Sequence, residues 1–343
     1  MKALVKYKKG PGNVELRDVP EPECTDDKIM LEIAYCGICG TDLHVYHDTF
    51  RNFPPVILGH EFSGSVVETG KEVKGIKPGD TFSVLGATAV QCGRCEYCVK
   101  GEFMFCKDRR GMGHGVNGAF TKFAGVRTDQ LFPIPENVSM EHAALVEPLA
   151  VAVHAVEEIA DFRLGDVVLL SGPGPIGLLC MKLLAAHGMK VIVAGTSQDQ
   201  MRMDMASRFG AEILVNVDQE NLSRIIETHT KGKGVALAIE CAGVEGSVIN
   251  CLEALMPMGK YVQIGHFGKD LTLPWDLIAF RQLSIFGSVG YTKDTWHRSI
   301  KILAQKKVDL GDVITHRLGL NDWQTGFDLM EKKQAVKILL HPD

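Results

Sequence analysis

Short runs in which apolar and polar residues alternate fill the first third of the chain. Such runs are KALVKY, VELRDVP and KIMLEIAYC, and they are followed by FSGSVVETG and DTFSVLG. Stretches rich in Pro and Gly, such as GPGN and KPGD, separate them. Alternation at every second position is typical of half-buried strands, and Gly and Pro mark the turns between them. The pattern predicts a β-rich, barrel-like first domain.

The pattern changes at residues 140–160, MEHAALVEPLAVAVHAVEEIA, where the apolar residues take helical spacing. The next segment, VVLLSGPGPIGLLCMKLLAAHGMKVIVAGT, is typical of a strand, a glycine turn, a helix and a second strand. Further short apolar runs, ALAIECAG, YVQIGHFG and LSIFGSVG, alternate with helical segments. This order predicts βαβ units and a parallel sheet.

The last segment, from about Thr292, contains the helical HRSIKILAQKKV and the strand-like VITHRLGL and KILLHP. We expect it to return to the first domain. The predicted organisation is therefore residues 1–150, 151–291 and 292–343.

Composition and charge exclude several classes of protein. A chain of 343 residues suggests about two domains. The net charge of −5 gives no basic surface for a nucleic-acid backbone. The N-terminus lacks the apolar core of a secretory signal, and GPGP interrupts the longest apolar stretch, so we expect no membrane span and a cytoplasmic protein.

A cysteine-rich segment, QCGRCEYCVKGEFMFC, follows the predicted barrel strands. Its thiols are Cys92, Cys95, Cys98 and Cys106, with gaps of two, two and seven residues. Four thiolates close a structural zinc shell, and they also suit an iron–sulfur cluster, while reduced free thiols are a third interpretation. The run lacks the Pro that follows the last cysteine of bacterial ferredoxins, so we predict structural zinc.

A second candidate metal site lies between residues 36 and 61. Cys39, His44, His60 and Glu61 supply sulfur, nitrogen and oxygen ligands of the kinds found in catalytic zinc sites. Taken alone, a Cys and a His about twenty residues apart are weak support for a metal site.

A glycine motif, GxGxxG, follows the apolar strand VVLL. Gly172 is expected to make the tight turn and Gly174 to let a pyrophosphate approach the backbone. Pro175 and Ile176 begin the helix, and Gly177 is expected to pack that helix against the strand. Free amides at the helix N-terminus would bind phosphate. The motif in this position predicts a dinucleotide site.

The next strand ends in Gly195, Thr196 and Ser197, where many NAD sites have an acidic residue for the ribose. Small hydroxyls with Arg202 nearby favour the 2′-phosphate of NADP. The alternative is that Asp199, in a longer loop, still reaches the ribose of NAD. We expect NAD(P), with a preference for NADP.

Together these motifs resemble those of the zinc-dependent medium-chain dehydrogenases, in particular the sorbitol (polyol) and threonine dehydrogenase branch. CGICGTDLH, GHEFSGSVVETGKEV and the four cysteines are similar to the family's zinc segments, and LVEPLAVAVHA resembles the polyol branch. The resemblance covers the whole chain. It implies an α/β protein with a GroES-like β-rich catalytic domain and a Rossmann domain whose parallel sheet is doubly wound.

The resemblance also implies the catalytic zinc ligands. Cys39 and His60 match two of them, and Glu61 lies beside His60. Glu147 stands where enzymes of the liver alcohol dehydrogenase type have a second cysteine. Either Glu61 or Glu147 would bind zinc directly and the other through water, and we rank Glu61 first.

In the family, a proton relay runs from the alcohol through a hydroxyl, here Thr41, the cofactor ribose and an imidazole, here His44. Two positions depart from the sorbitol enzymes, namely Val45 in place of Tyr and Gly290 in place of Arg. Both positions face substrate in those relatives, so the resemblance does not specify sorbitol as the substrate.

The implied reaction is reversible oxidation of a secondary alcohol, in a vicinal diol or sugar alcohol, to a ketone. L-threonine 3-dehydrogenase is the first alternative. A zinc-free quinone or enone reductase, or a binding protein without catalytic activity, is less consistent with the complete ligand set. Relatives are dimers or tetramers, so the resemblance implies a homodimer or homotetramer.

Overall fold

The alternating segments of the first third form antiparallel strands, and several of them, such as the strands at residues 2–6 and 81–85, are buried on both faces. The structure, a computed structural model, describes residues 1–342. The chain forms two compact units. The first unit contains residues 1–147 and the chain from Thr292 onward. Its strands are β1 (Lys2–Lys6), β2 (Val14–Asp18), β3 (Lys28–Gly37), β4 (Val56–Ile57), β5 (Glu61–Thr69), β6 (Thr81–Leu85), β7 (Phe123–Arg127), β8 (Leu131–Pro133), β15 (Ile314–Gly319) and β16 (Lys337–His341).

Strand β3 is central to the first unit, since it pairs with β5, β7 and β16. The larger sheet has the order β15-β16-β3-β5-β6-β8, and a smaller sheet has the order β2-β1-β4. Ile29, Leu31 and Ile33 alternate along β3 and pack into a core with Phe62 and Phe120. The α-helices of the first unit are α1 (Gly40–Tyr46), α2 (Glu96–Val99), α3 (Met140–Ala144), α10 (Lys293–Ala304) and α11 (Trp323–Glu331).

The second unit, Pro148–Tyr291, is the predicted βαβ series, and this prediction is confirmed. Its six strands pair in parallel in the order β11-β10-β9-β12-β13-β14, which is the Rossmann order 3-2-1-4-5-6. The strands are β9 (Val167–Ser171), β10 (Lys190–Gly195), β11 (Ile213–Asn216), β12 (Val235–Glu240), β13 (Leu255–Gln263) and β14 (Ser284–Gly287).

Helices connect these parallel strands, as crossover connections require. They are α5 (Pro175–Ala186), α6 (Gln200–Arg208), α7 (Leu222–Thr230), α8 (Glu245–Ala254) and α9 (Trp275–Phe280). Helix α4 (Val146–Val153) spans the boundary between the units and continues into a π-helix, His154–Ile159. Short 3-10 segments occupy Gly86–Thr88, Phe103–Phe105, Thr128–Gln130, Ser197–Asp199, Gly311–Val313 and Leu320–Asp322. Within residues 1–342, none of the helices has the length and apolar character needed to cross a membrane.

Candidate zinc and dinucleotide sites

The first metal candidate lies where β3 ends and β5 begins. Cys39, His60 and Glu61 each place one ligand atom there, and these atoms all lie within 4.8 Å of one another. Gly37, the last residue of β3, pairs with Glu61. A Cβ atom at Gly37 would stand 2.3 Å from Glu61 Oε2, so the close approach of the carboxylate requires glycine there. The sheet register thus brings together residues separated by about twenty positions in the sequence.

Asp42 holds two of these residues in place, and the sequence analysis missed it. Its side chain is buried; Oδ2 accepts the Cys39 N–H at 2.9 Å, and Oδ1 accepts the Gly59 N–H at 3.3 Å. Asp42 Oδ1 also lies 3.5 Å from His60 Nδ1. Burial opposes protonation of His60, but the Asp42 carboxylate raises the pKa of His60 well above its usual value. The signal available in the sequence was the acidic residue three positions after Cys39, at N3 of α1.

Lys337, on β16, is a second residue that the sequence analysis missed. The side chain is 2% exposed, and its Nζ donates to Glu61 Oε1 at 2.6 Å and to the Ile38 carbonyl at 3.2 Å. Burial lowers the pKa of Lys337, but Glu61, Cys39 and Glu147 outweigh it and raise that pKa above its usual value. The ammonium therefore stays charged and balances the Glu61 carboxylate.

The residues of this site fit zinc. Glu61 is fully buried, and its Oε2 lies 2.6 Å from the Lys337 ammonium, so the carboxylate is held ionised beside Cys39 and His60. A thiolate, an imidazole and a carboxylate form the mixed ligand set typical of catalytic zinc, which keeps one position for substrate.

The other predicted catalytic residues lie on helices and are not part of the group of three ligand atoms. Glu147 is in the first turn of α4, half-buried, and outside the group of ligand atoms that Cys39, His60 and Glu61 form. Thr41 and His44 lie three residues apart on α1, and His44 Nδ1 is 3.0 Å from Thr49 Oγ1. Val45 is fully buried in the core of the first unit, so in this chain it does not face a substrate.

The four cysteines of the second candidate lie around α2. The Sγ atoms of Cys92, Cys95, Cys98 and Cys106 all lie within 4.8 Å of one another. The Cys95 N–H donates to Cys92 Sγ at 3.3 Å. Backbone N–H groups lower the pKa of Cys92 to about 6, whereas burial and the neighbouring thiols raise that of Cys98 to about 12. Four sulfurs around one point fit the closed shell of structural zinc.

In the second unit, the glycine turn has the geometry that its motif predicts. Gly172 has φ +93°, and a Cβ there would meet Ala242 N at 2.6 Å. A Cβ at Gly177 would stand 2.1 Å from the Gly172 carbonyl oxygen, whereas a Cβ at Gly174 would meet nothing within 4 Å. Gly174 is the N-cap of α5, and Pro175 and Ile176 are its first residues. The backbone at Gly174 is therefore accessible to a phosphate at the helix N-terminus.

In the loop after β10, the charged side chains form hydrogen bonds and ion pairs with other groups of the protein. Asp199 Oδ2 accepts from both the backbone N–H and the hydroxyl of Thr196, at 3.1 and 2.6 Å. Arg202 lies 3.8 Å from Asp199 Oδ1, and both side chains are buried. The Ser197 N–H donates to Asp218 Oδ2 at 2.8 Å, which places a carboxylate that the sequence analysis missed at the end of the strand.

Comparison with protein families identifies both units. Residues 25–136 match the alcohol dehydrogenase GroES-like domain, and residues 175–305 match the zinc-binding dehydrogenase family. These matches confirm the predicted pairing of a GroES-like domain with a Rossmann domain.

Individual relatives align over nearly the whole chain. A sorbitol dehydrogenase of Halalkalibacterium halodurans is 32% identical, covering 100% of this chain and 99% of the relative. A D-arabitol-phosphate dehydrogenase of Enterococcus avium is 32% identical, with coverage of 99% and 97%. An L-threonine 3-dehydrogenase of Photorhabdus laumondii is 34% identical, with full coverage of both chains.

A solved structure shows the same fold. A zinc-binding dehydrogenase of Sinorhizobium meliloti, crystallised with NADP, superposes with a TM-score of 0.90 at 30% identity and covers 99% of both chains. With the ligand geometry and the family matches, this establishes zinc and a nicotinamide dinucleotide as cofactors of the family. The chain belongs to the zinc-dependent medium-chain dehydrogenases, in the branch of the polyol and threonine dehydrogenases.

Proposed function

We propose that this enzyme reversibly oxidises a secondary alcohol in a polyol or vicinal diol to a ketone, with NAD(P) as hydride acceptor. The observation that carries the proposal is the convergence of Cys39, His60 and Glu61 within 4.8 Å. Relatives that act on sorbitol and on arabitol phosphate support the substrate class.

Each side chain of the site has a separate proposed role. Cys39, His60 and Glu61 would hold the zinc, and Glu147 would contact it through water. Zinc supplies the Lewis acid that lowers the pKa of a bound alcohol, as it does for bound water. Asp42 fixes the backbone of Cys39 and the position of His60, and Lys337 balances the charge of Glu61. The alcohol proton would pass from the Thr41 hydroxyl through the cofactor ribose to His44, which is exposed to solvent.

For the cofactor we propose that Gly172, Gly174 and Gly177 hold the pyrophosphate and that NADP is preferred. Gly195, Thr196 and Ser197 offer no acidic side chain, and Arg202, which is buried beside Asp199, is the cation of this loop. The Asp218 carboxylate opposes a 2′-phosphate. We expect Asp218→Asn to increase the ratio of kcat/KM for NADP over NAD, and Arg202→Gln to decrease it.

Spectrophotometric assay of purified enzyme on one panel tests the proposed reaction. The panel contains polyols, butanediols, simple secondary alcohols and L-threonine, each with NAD and NADP. We expect turnover of a polyol or vicinal diol that a chelator abolishes and zinc restores. Preferential turnover of L-threonine would instead support the second candidate, which the 34% identical relative favours. No turnover with zinc bound would contradict the proposal.

We further propose a homodimer or homotetramer formed through the edge of the nucleotide sheet. Strand β14 is that edge, and its Ile285 and Phe286, with the neighbouring Val289, are exposed. Paired edge strands would cover these side chains. A monomer in light scattering would contradict this. We also propose that the protein is cytoplasmic, because none of its ten cysteines forms a disulfide.

A further inference from the structure

Two arginines of the first unit stack on one aromatic ring, and the proposed chemistry uses neither. The guanidinium carbons of Arg51 and Arg110 lie 5.0 and 4.5 Å from the centroid of the Phe53 ring. The Phe53 N–H donates to the His114 carbonyl at 2.9 Å. Segments 50–53 and 109–114, which are distant in sequence, therefore present their cationic side chains together.

This cationic group adjoins the proposed zinc ligands. A Cβ at Gly113 would stand 3.0 Å from the carbonyl carbon of Gly59, so the backbone before His114 packs on the residue before His60. The rings of Phe50 and His114 are in edge contact, with centroids 5.2 Å apart. The segment that carries Arg110 and His114 therefore lies against the segment that carries His60.

The charge of the group is not cancelled locally. Arg51 and Arg110 are exposed, and within residues 1–342 neither forms an ion pair with a carboxylate. Asp42 is engaged by backbone amides, and Asp48 accepts from the Asn52 side chain at 2.7 Å. Residues 107–110, KDRR, contribute three cations against one carboxylate.

His114 adds a hydrogen-bonding atom. Its Nδ1 is buried and has no partner in the described part of the chain. In the tautomer that carries its proton on Nδ1, the ring can donate a hydrogen bond to an oxygen atom of a ligand.

We propose that Arg51, Arg110 and His114 form an anion subsite that binds the phosphate group of a phosphorylated polyol. This inference rests on the proposed function and narrows its substrate class to polyol phosphates. Two guanidinium groups suit a phosphate because each presents paired N–H donors in one plane. The reaction does not break the phosphate ester bond, because the secondary alcohol carbon loses a hydride to NAD(P) and the hydroxyl loses a proton to solvent.

Steady-state kinetics of the zinc-loaded enzyme tests the subsite. An alditol and its terminal phosphate monoester are compared on wild type, Arg51→Gln and Arg110→Gln. The control is Arg17→Gln, because Arg17 also stacks on a ring, that of Tyr7 at 4.2 Å. A charge-assisted hydrogen bond predicts that wild type prefers the ester by about tenfold or more in kcat/KM. Each subsite variant should lose about tenfold on the ester and far less on the alditol, mostly through KM. Arg17→Gln should match wild type.

The outcomes separate the two proposals. If the alditol and its phosphate are oxidised equally well, and Arg51→Gln and Arg110→Gln behave like the control, the subsite is overturned and the dehydrogenase assignment stands. If neither compound is oxidised with zinc bound, the proposed function fails. The subsite is then decided by calorimetry with inorganic phosphate. Equal affinity for wild type and both variants overturns it, and weaker binding by both variants supports it.

Discussion

The two candidate zinc sites of the first unit differ in how they are built. The cysteine site takes all four sulfurs from residues 92–106, and its thiols are mostly half-exposed. The site of Cys39, His60 and Glu61 draws on two separate segments and depends on Lys337, which lies 276 residues beyond Glu61. Four thiolates close a shell by themselves, whereas three mixed ligands leave room for substrate. We propose that the cysteine site serves stability and that the site of Cys39, His60 and Glu61 serves catalysis.

Removal of one catalytic zinc ligand should distinguish the roles of the two sites most clearly. His60→Ala should lower kcat/KM by at least about a thousandfold, because several kcal/mol of Lewis-acid stabilisation are lost. Metal analysis should show that one zinc remains at the cysteines. His229→Ala, at an exposed position on α7, is the matched control and should retain full activity. Substantial activity in His60→Ala would refute the division of roles.

Lys337 tests the charge balance at the catalytic site. Lys337→Met should destabilise the zinc-free protein by about 3–5 kcal/mol, because it leaves the buried Glu61 carboxylate unpaired. Bound zinc should reduce this cost, since the metal compensates the same charge. Denaturant unfolding with and without a chelator measures both values. An equal loss of stability in the two states would show that zinc and Lys337 do not share Glu61.

Loss of a structural zinc ligand should lower the stability of the protein and leave its catalytic activity nearly unchanged. Cys98→Ser should reduce the free energy of unfolding by about 3 kcal/mol, as expected when a structural metal is lost. The fraction that remains folded should keep its catalytic zinc and a nearly normal kcat. Zinc content and active-site titration check this. A loss of kcat without a loss of stability would assign the cysteine site a catalytic role.

Asp42 should have the smallest effect of the four. Asp42→Asn keeps the shape but removes the charge near His60, and we expect zinc affinity to fall by about tenfold to a hundredfold. Competition with a chromophoric chelator measures this. Unchanged affinity would mean that Asp42 is only a helix cap.

The sequence predicted those features whose determinants are contiguous. The spacing of Cys92, Cys95, Cys98 and Cys106 predicts their shared location, and the glycines of the nucleotide turn lie between a recognisable strand and helix. Alternation along β3 predicts which residues form the core.

Features that depend on tertiary contacts could not be predicted from local sequence patterns. The approach of Lys337 to Glu61 follows from β16 pairing with β3 and β3 with β5, which no local pattern reveals. The burial of Val45 follows from how α1 packs, and the engagement of Asp199 by Thr196 depends on a loop conformation. Family resemblance suggested the zinc ligands, and the geometry shows that Asp42 and Lys337 contact these residues.

Anomalous diffraction from crystals of the protein, recorded above and below the zinc edge, tests the central claim most directly. We predict one peak among Cys39, His60 and Glu61 and a second among the four cysteines, with Glu61 nearer the first peak than Glu147. A peak at the cysteines alone, from protein purified with zinc, would contradict the assignment of a zinc-dependent catalytic site to Cys39, His60 and Glu61.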